Sequence, residues 1–282
     1  MIAYLGTGLL GSGFVRKLLE RGETVRVWNR TPEKALALAG DGAVVCATAA
    51  EAVRGVDQIH LTLADDASVD AVLEPLAGAI GGSTLILDHT TTAPTPTGER
   101  VARWKQRGVT FVHTPVFMGP AAARNAQGFM LLSGAPDVRA TVTPLIVPMT
   151  GKVIDLGDDP TRAAAFKLFG NMMLVFIVTG LADGYRFAES LGIPATQAQR
   201  LFDDFKPGAT FELRGKAMAN GDYTPQWELA MARKDVRLML EEAQRHGASL
   251  AVLPAIAGFF DTYVQAGFGG EDVGVVARRD LA

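Results

Sequence analysis

Residues 2–15 read Ile2-Ala3-Tyr4-Leu5-Gly6-Thr7-Gly8-Leu9-Leu10-Gly11-Ser12-Gly13-Phe14-Val15, an apolar run that meets spaced glycines and leads into an amphipathic segment. Gly6, Gly8 and Gly11 fit the pattern G-x-G-x-x-G. In a strand–turn–helix context the first glycine permits the tight turn, the second lets a pyrophosphate approach the backbone, and the third lets helix and strand pack closely. The free N–H groups of Leu9, Leu10 and Gly11 at a helix N-terminus then meet an anionic dinucleotide. The fold expected from this stretch is α/β, with a Rossmann-type doubly wound parallel sheet.

The next strand supplies the cofactor choice. Residues 24–28 are β-rich and end at Asn29-Arg30-Thr31, which begins 23 positions after Gly6. An NAD-preferring site carries a carboxylate near this point for the ribose 2′-hydroxyl. Here Asn29 is neutral, Arg30 offers a planar fork to a 2′-phosphate, and Thr31 offers a hydroxyl. The expected cofactor is therefore NADP(H).

Further strands are expected at 58–63, 84–88, 110–112 and 129–133, with helices at 11–21, 32–39, 67–79 and 96–107. Strands alternating with helices of this length imply parallel βαβ crossovers. A last strand at 153–156 precedes the turn Gly157-Asp158-Asp159-Pro160, after which the patterns become helical. The reading is a dinucleotide-binding domain over 1–158 and an all-helical domain over 159–282, opened by one long helix at about 161–191.

Composition narrows the function classes. The 282 residues are 48% hydrophobic and 20% charged, which suits a globular protein. A net charge of −3 gives no reason to expect nucleic acid or an anionic membrane as partner. The single cysteine, Cys46, cannot form an intrachain disulfide. No secretory signal is expected at the N-terminus, and the apolar stretch 172–181 is read as too short to cross a bilayer, so a cytoplasmic protein is expected. No group of His, Cys, Asp and Glu has metal-ligand spacing, and no metal is expected.

Four further segments accompany the glycine turn: Asp88-His89-Thr90-Thr91, His113-Thr114-Pro115-Val116-Phe117-Met118-Gly119, Lys167-Leu168-Phe169-Gly170-Asn171, and Lys234-Asp235-Val236-Arg237-Leu238. In order and spacing the chain resembles the β-hydroxyacid dehydrogenase family, which includes 3-hydroxyisobutyrate dehydrogenases and tartronate semialdehyde and glyoxylate reductases. Imine reductases share the architecture. The resemblance covers essentially the whole chain.

The resemblance implies that Lys167 is the catalytic proton donor and Asn171 its substrate-orienting partner. Residues four apart share a helix face, so the pairing is physically sensible. The resemblance also implies that Leu63, Ala64 and Asp65 line the cofactor, that Thr90 and Thr91 lie near the nicotinamide ribose, and that Lys234 reaches the cofactor from the helical domain. A homodimer or homotetramer is implied as well. Taken alone, Lys234-Asp235 is only a charge pair on a helix face, and the threonines only a cap or loop.

Phe117, Met118 and Gly119 occupy the segment that binds substrate in the family, and there the sequence departs from the pattern. The family usually reads Asp-x-Pro-Val-Ser-Gly-Gly; here His113 replaces the Asp, Phe117 the Ser and Met118 the first Gly. Phe117 has no side-chain hydrogen-bond donor. The Gly-x-Gly leading to the lysine is Thr161-Arg162-Ala163. The expected activity is reversible reduction of a small aldehyde or ketone. Two alternatives stay open on sequence alone: reduction of a cyclic imine, and an NADPH-binding scaffold or sensor without turnover. Phe166, Phe211, Trp227 and Met231 are read as helical core or subunit interface before pocket wall.

Overall fold

Strand β1 (Ile2–Leu5) lies inside a six-stranded sheet with β2 (Val25–Trp28), β3 (Val44–Val45), β4 (Gln58–Leu61), β5 (Leu85–Asp88) and β6 (Thr110–His113). The computed structural model describes residues 1–280. The strand order is β3-β2-β1-β4-β5-β6, and every neighbouring pair is parallel. Connectivity reverses between β1 and β4, which opens a crevice at the carboxyl ends of those strands. The connecting helices are α1 (Leu9–Glu20), α2 (Pro32–Leu36), α3 (Ala49–Val53), α4 (Asp66–Leu73) and α5 (Pro94–Gln106). The doubly wound sheet expected from the sequence is present.

The strand read at 129–133 does not extend that sheet. It is β8 (Phe129–Leu132), and it lies between β7 (Val116–Phe117) and β9 (Lys152–Asp155) in a separate three-stranded sheet. β7 runs antiparallel to β8, and β9 parallel to it. Pro115, just past the end of β6, has no backbone N–H with which to continue that ladder, and its carbonyl instead accepts from the Leu131 N–H of β8. Helices α6 (Pro120–Arg124) and α7 (Pro136–Ile146) complete this part. The sequence reading missed β3, β7, α3, α6 and α7, all but α7 five residues or shorter.

Side chains alternate across the parallel sheet. Ile2, Tyr4, Val25, Val27 and Leu87 enter one apolar layer with Phe14 and Leu18 of α1, whereas Ala3, Leu5, Ile59, Leu61 and Ile86 enter the other with Trp104 of α5. Arg100 is fully buried beside the second layer and is held by Asp66 and Asp70 at 3.1 and 2.8 Å. Three histidines are also buried. His60 Nδ1 lies 3.0 Å from His89 Nε2, His89 Nδ1 lies 3.0 Å from the Thr114 carbonyl, and His113 Nε2 lies 2.8 Å from the Thr90 carbonyl.

α8 (Arg162–Ser190) runs 29 residues. By length and composition the whole helix is long and apolar enough to cross a membrane, which the stretch 172–181 by itself is not. The helix continues because no proline interrupts it, and Gly180 and Gly184 weaken it without ending it. The chain divides into two compact units within this helix, Met1–Met172 and Met173–Ala282, while the sequence reading placed its boundary at 158.

The second unit is helical: α9 (Ala195–Gln199), α10 (Leu201–Asp204), α11 (Ala209–Ala219), α12 (Leu229–Arg245) and α13 (Leu253–Tyr263) follow the rest of α8. Asp183 of α8 accepts the N–H groups of Ala251, Val252 and Leu253 at 2.7–3.1 Å, holding the start of α13. Asp272 accepts from Gln226, Trp227 and Gly274 and pairs with Arg214, which pushes its carboxyl far below the ordinary range against the cost of burial.

Burial lowers His60 well below the ordinary imidazole value and brings His89 and His113 to about 4. The unfolded chain protonates these rings as pH falls below about 6.5, but the folded chain holds His89 and His113 neutral until about 4 and disfavours the His60 cation as well. Their contribution is present above the first value and lost towards the second. Buried Asp88, raised to about 6 by desolvation, takes up a proton in the folded state over the same window and offsets one ring. Each uncompensated proton is worth about 1.4 kcal/mol per pH unit. The Tm should therefore fall by about 5 °C or more between about pH 6.5 and pH 5. A Tm measured as constant over that window contradicts the neutral buried histidines.

Candidate active site

The glycine turn is fixed by contacts that exclude a side chain. Gly6 has φ +97°, and a Cβ there would lie 2.2 Å from the Thr62 carbonyl oxygen. A Cβ on Gly11 would lie 2.0 Å from the Gly6 carbonyl oxygen. At Gly8 the same construction meets nothing within 4 Å, so open space faces the backbone where a pyrophosphate would approach. Gly8 is the N-cap of α1, and it makes no side-chain capping bond. The first turn holds no acidic residue, and Leu9 is exposed. The N–H groups of Leu9 and Leu10 therefore offer an anion site without local negative charge. These residues fit a dinucleotide.

Asn29 has a role that spacing did not reveal. Its Oδ1 accepts from the Thr7 N–H at 2.9 Å, and its Nδ2 donates to the Thr31 carbonyl at 2.9 Å. The side chain thus ties the end of β2 to the glycine turn and fixes the turn's shape. Arg30 is exposed and forms no ion pair among the described residues, leaving its guanidinium available. Thr31 is the N-cap of α2, without a side-chain capping bond.

Beyond β4, the Leu63 N–H donates to the Thr90 hydroxyl at 3.0 Å, and the Thr90 N–H donates to Asp88 Oδ1 at 2.9 Å. The loops after β4 and β5 are thereby joined through one buried threonine. Thr91 is exposed, as are Ala64 and Asp65. Asp65 caps α4 by accepting from the Ser68 N–H at 2.8 Å, which lowers its carboxyl pKa, with the nearby Arg30 charge a smaller cause.

Lys167 lies one helical turn after Ala163, whose N–H donates to the buried Ser133 hydroxyl at 3.0 Å. That bond holds the start of α8 against the end of β8, and Ala163, Ala164 and Lys167 share its buried face. Lys167 is 8% exposed and makes no ion pair or hydrogen bond among the described residues. Its Nζ lies 4.0 Å from the centroid of the Phe117 ring. Desolvation lowers the pKa of this ammonium. Asn171, one turn on, is half-buried and makes no side-chain hydrogen bond among the described residues. A buried ammonium and a half-buried carboxamide on one helix face can both donate to a substrate oxygen.

A family model described as the NAD binding domain of 6-phosphogluconate dehydrogenase matches residues 1–157, and one described as the NAD-binding of NADP-dependent 3-hydroxyisobutyrate dehydrogenase matches residues 162–279. The chain belongs to the 3-hydroxyisobutyrate dehydrogenase family. It is an NAD(P)-dependent oxidoreductase of that family. A probable 3-hydroxyisobutyrate dehydrogenase from Mycobacterium tuberculosis H37Rv is 28% identical over 260 residues, covering 88% of this chain and 87% of that one. The 3-sulfolactaldehyde reductase of Escherichia coli K12 is 25% identical, covering 99% and 95%. An imine reductase from Myxococcus stipitatus in complex with NADP+ has the same fold, with a TM-score of 0.91 at 21% identity and 99% coverage of each chain.

Within this family member, the first unit brings together Gly6, Gly8, Gly11, Asn29, Leu63 and Thr90 around the crevice of the parallel sheet. Lys167 is brought against Phe117 of β7. Met118 is half-buried, and Gly119 is exposed as the N-cap of α6. Lys234 sits on α12 of the second unit, 2.8 Å from Asp235, with its side chain 42% exposed. Phe166, Phe211, Trp227 and Met231 are all exposed, which removes the reading of them as core within the chain. Sequence reasoning missed the pinning role of Asn29 and the packing of Phe117 over Lys167. A glycine inside an otherwise apolar helix, Gly170, was the available signal for the second.

Replacing Asn29 with Ala should loosen the turn and weaken NADP+ and NAD+ by similar factors, about 3- to 10-fold, since one or two hydrogen bonds are lost. Isothermal titration with both dinucleotides checks this; a loss confined to one of them would give Asn29 a discriminating role instead.

Proposed function

We propose that this enzyme uses NADPH to reduce a small aldehyde or ketone to its alcohol, reversibly, with Lys167 as proton donor and Asn171 orienting the carbonyl. The observation that carries the reading is the burial of Lys167, whose ammonium has no ion pair among the described residues, on the same helix face as a carboxamide that makes no side-chain hydrogen bond among them. The nicotinamide, when bound, supplies the hydride. Lys167 donates a proton to the carbonyl oxygen as negative charge grows there, and in the reverse direction its neutral amine accepts the alcohol proton. Burial helps the reverse role by lowering the ammonium pKa towards neutrality.

Cofactor preference follows from the end of β2. An exposed arginine that forms no ion pair among the described residues, beside a neutral asparagine, favours the 2′-phosphate of NADP(H). Thr31, Leu63, Ala64, Asp65, Thr90 and Thr91 complete the cofactor site in this reading. Met118 and Gly119 line the substrate side with Phe117. The domain boundary is taken at 158, where the alternating pattern ends.

The proposed setting is a cytoplasmic homo-oligomer, dimer or tetramer. Leu174, Val175, Phe176 and Val178 of α8 are all more than half exposed, and such a helix is stabilised when another chain covers it.

A second reading, reduction of a cyclic imine, draws support from the apolar ring at Phe117 and from the shared fold with imine reductases. An NADPH-oxidation panel containing semialdehydes, neutral ketones and cyclic imines separates the readings. Turnover of imines alone would overturn the carbonyl assignment.

Lys167→Ala should lower kcat by about 100-fold or more and leave the Kd for NADPH nearly unchanged. Retained turnover in stopped-flow assays removes the lysine from catalysis. Arg30→Ala should raise the Kd for NADPH by about 10-fold or more and leave NADH nearly unaffected; equal losses for the two cofactors refute the phosphate role.

A further inference from the structure

The Lys167 ammonium lies over the Phe117 ring, at 4.0 Å from Nζ to centroid. That ring is held from two directions. Its backbone belongs to β7, where Phe117 is paired with Phe129, and the two rings meet at 5.1 Å with a tilt of 39°. Gly128, at φ +81°, closes under the strand, for a Cβ there would lie 2.7 Å from the Phe117 carbonyl oxygen. On the other side the ring enters a notch in α8. A Cβ built on Gly170 would lie 2.3 Å from Phe117 Cζ and 2.8 Å from Cε1.

Gly170 follows Lys167 by three residues, so the notch and the ammonium lie on one face of α8. Glycine in a helix interior costs about 1 kcal/mol relative to alanine. The Phe117 ring occupies the space that a side chain at Gly170 would take.

We propose that Phe117, seated in the notch left by Gly170, is the positioning residue for Lys167. It holds the ammonium over its π face, so that the charge is stabilised without engaging its N–H donors. A carboxylate in this place would hold the same charge but would take those donors and tie the proton down. The aromatic face attracts the cation through its quadrupole and has no lone pair with which to accept a conventional hydrogen bond. The donors stay free for a substrate oxygen. The inference rests on Lys167 being the proton donor, and it adds the element that fixes where that proton is.

The test measures the titration of Lys167 in the full chain by pH-dependent acetic anhydride labelling, followed by peptide mass spectrometry. Phe117→Leu keeps an apolar side chain but removes the π face. It should lower the ammonium-to-amine ratio of Lys167 at fixed pH by about 2- to 30-fold. Phe117→Tyr keeps the face and should leave the ratio near that of the parent. Gly170→Ala should lower the Tm by roughly 3–10 °C, through displacement of the ring. Adding Phe117→Leu to Gly170→Ala should recover part of that loss, because the smaller side chain removes the clash, while the lysine titration stays as in Phe117→Leu.

If Phe117→Leu and Phe117→Tyr titrate alike, the ring is only packing and the proposal fails. If the Tm losses simply add, the notch is not the seat of the ring and the proposal also fails. The outcome is separable from the catalytic reading. Labelling that shifts as stated while Lys167→Ala still reduces propanal with NADPH would sink the proton-donor role and leave the positioning role standing.

Discussion

The backbone contact between Gly6 and Gly11 is the constraint on which the rest of the site depends. With no side chain at either position, the first turn of α1 closes onto the end of β1. The N-terminus of that helix then stands over the carboxyl edge of the parallel sheet, where the connectivity reverses. A methyl group on Gly11 would overlap the Gly6 carbonyl oxygen, so the helix would have to move away, and one on Gly6 would overlap the Thr62 carbonyl oxygen beyond β4. The anion site and the crevice would then no longer coincide. Asn29 adds a hydrogen-bonded tie between this turn and β2, and Thr90 ties the β4 and β5 loops to each other.

Burial without a counter-charge is the second organising feature. The interior of the sheet holds polar groups that are mostly satisfied by one another, such as the imidazoles of His60 and His89 and the Arg100 guanidinium between two aspartates. Lys167 differs, for it has lost water and gained an aromatic face in place of an acid. Desolvation pulls its pKa down and the ring's quadrupole acts in the opposite sense. A group held between those effects exchanges its proton more readily than one locked in a salt bridge. That property suits an acid in one direction and a base in the other.

Much of this was legible in the chain itself. The glycine spacing, the apolar run before it and the neutral end of β2 specified the dinucleotide fold, because turn geometry and phosphate approach act over a few consecutive residues. Alternating strands and helices announced the parallel sheet for the same local reason. The order of Asp88-His89-Thr90-Thr91, Lys167 and Asn171 carried the family resemblance. Two-residue strands such as β3 and β7 escaped notice because so short a segment has no period of its own.

What only the tertiary structure decided is which side chains meet across large separations in sequence. Phe117 and Gly170 are 53 positions apart, and nothing local to either predicts that the ring of one fills the missing side chain of the other. Residues 129–132 form a separate sheet, and their pairing with β7 holds the strand that carries the ring beside the lysine. Asn29 could be read as a neutral residue near a phosphate, but its two hydrogen bonds depend on where the turn and β2 stand in space. Local chemistry sets the elements; contact between distant elements depends on packing, which the order of residues states only indirectly.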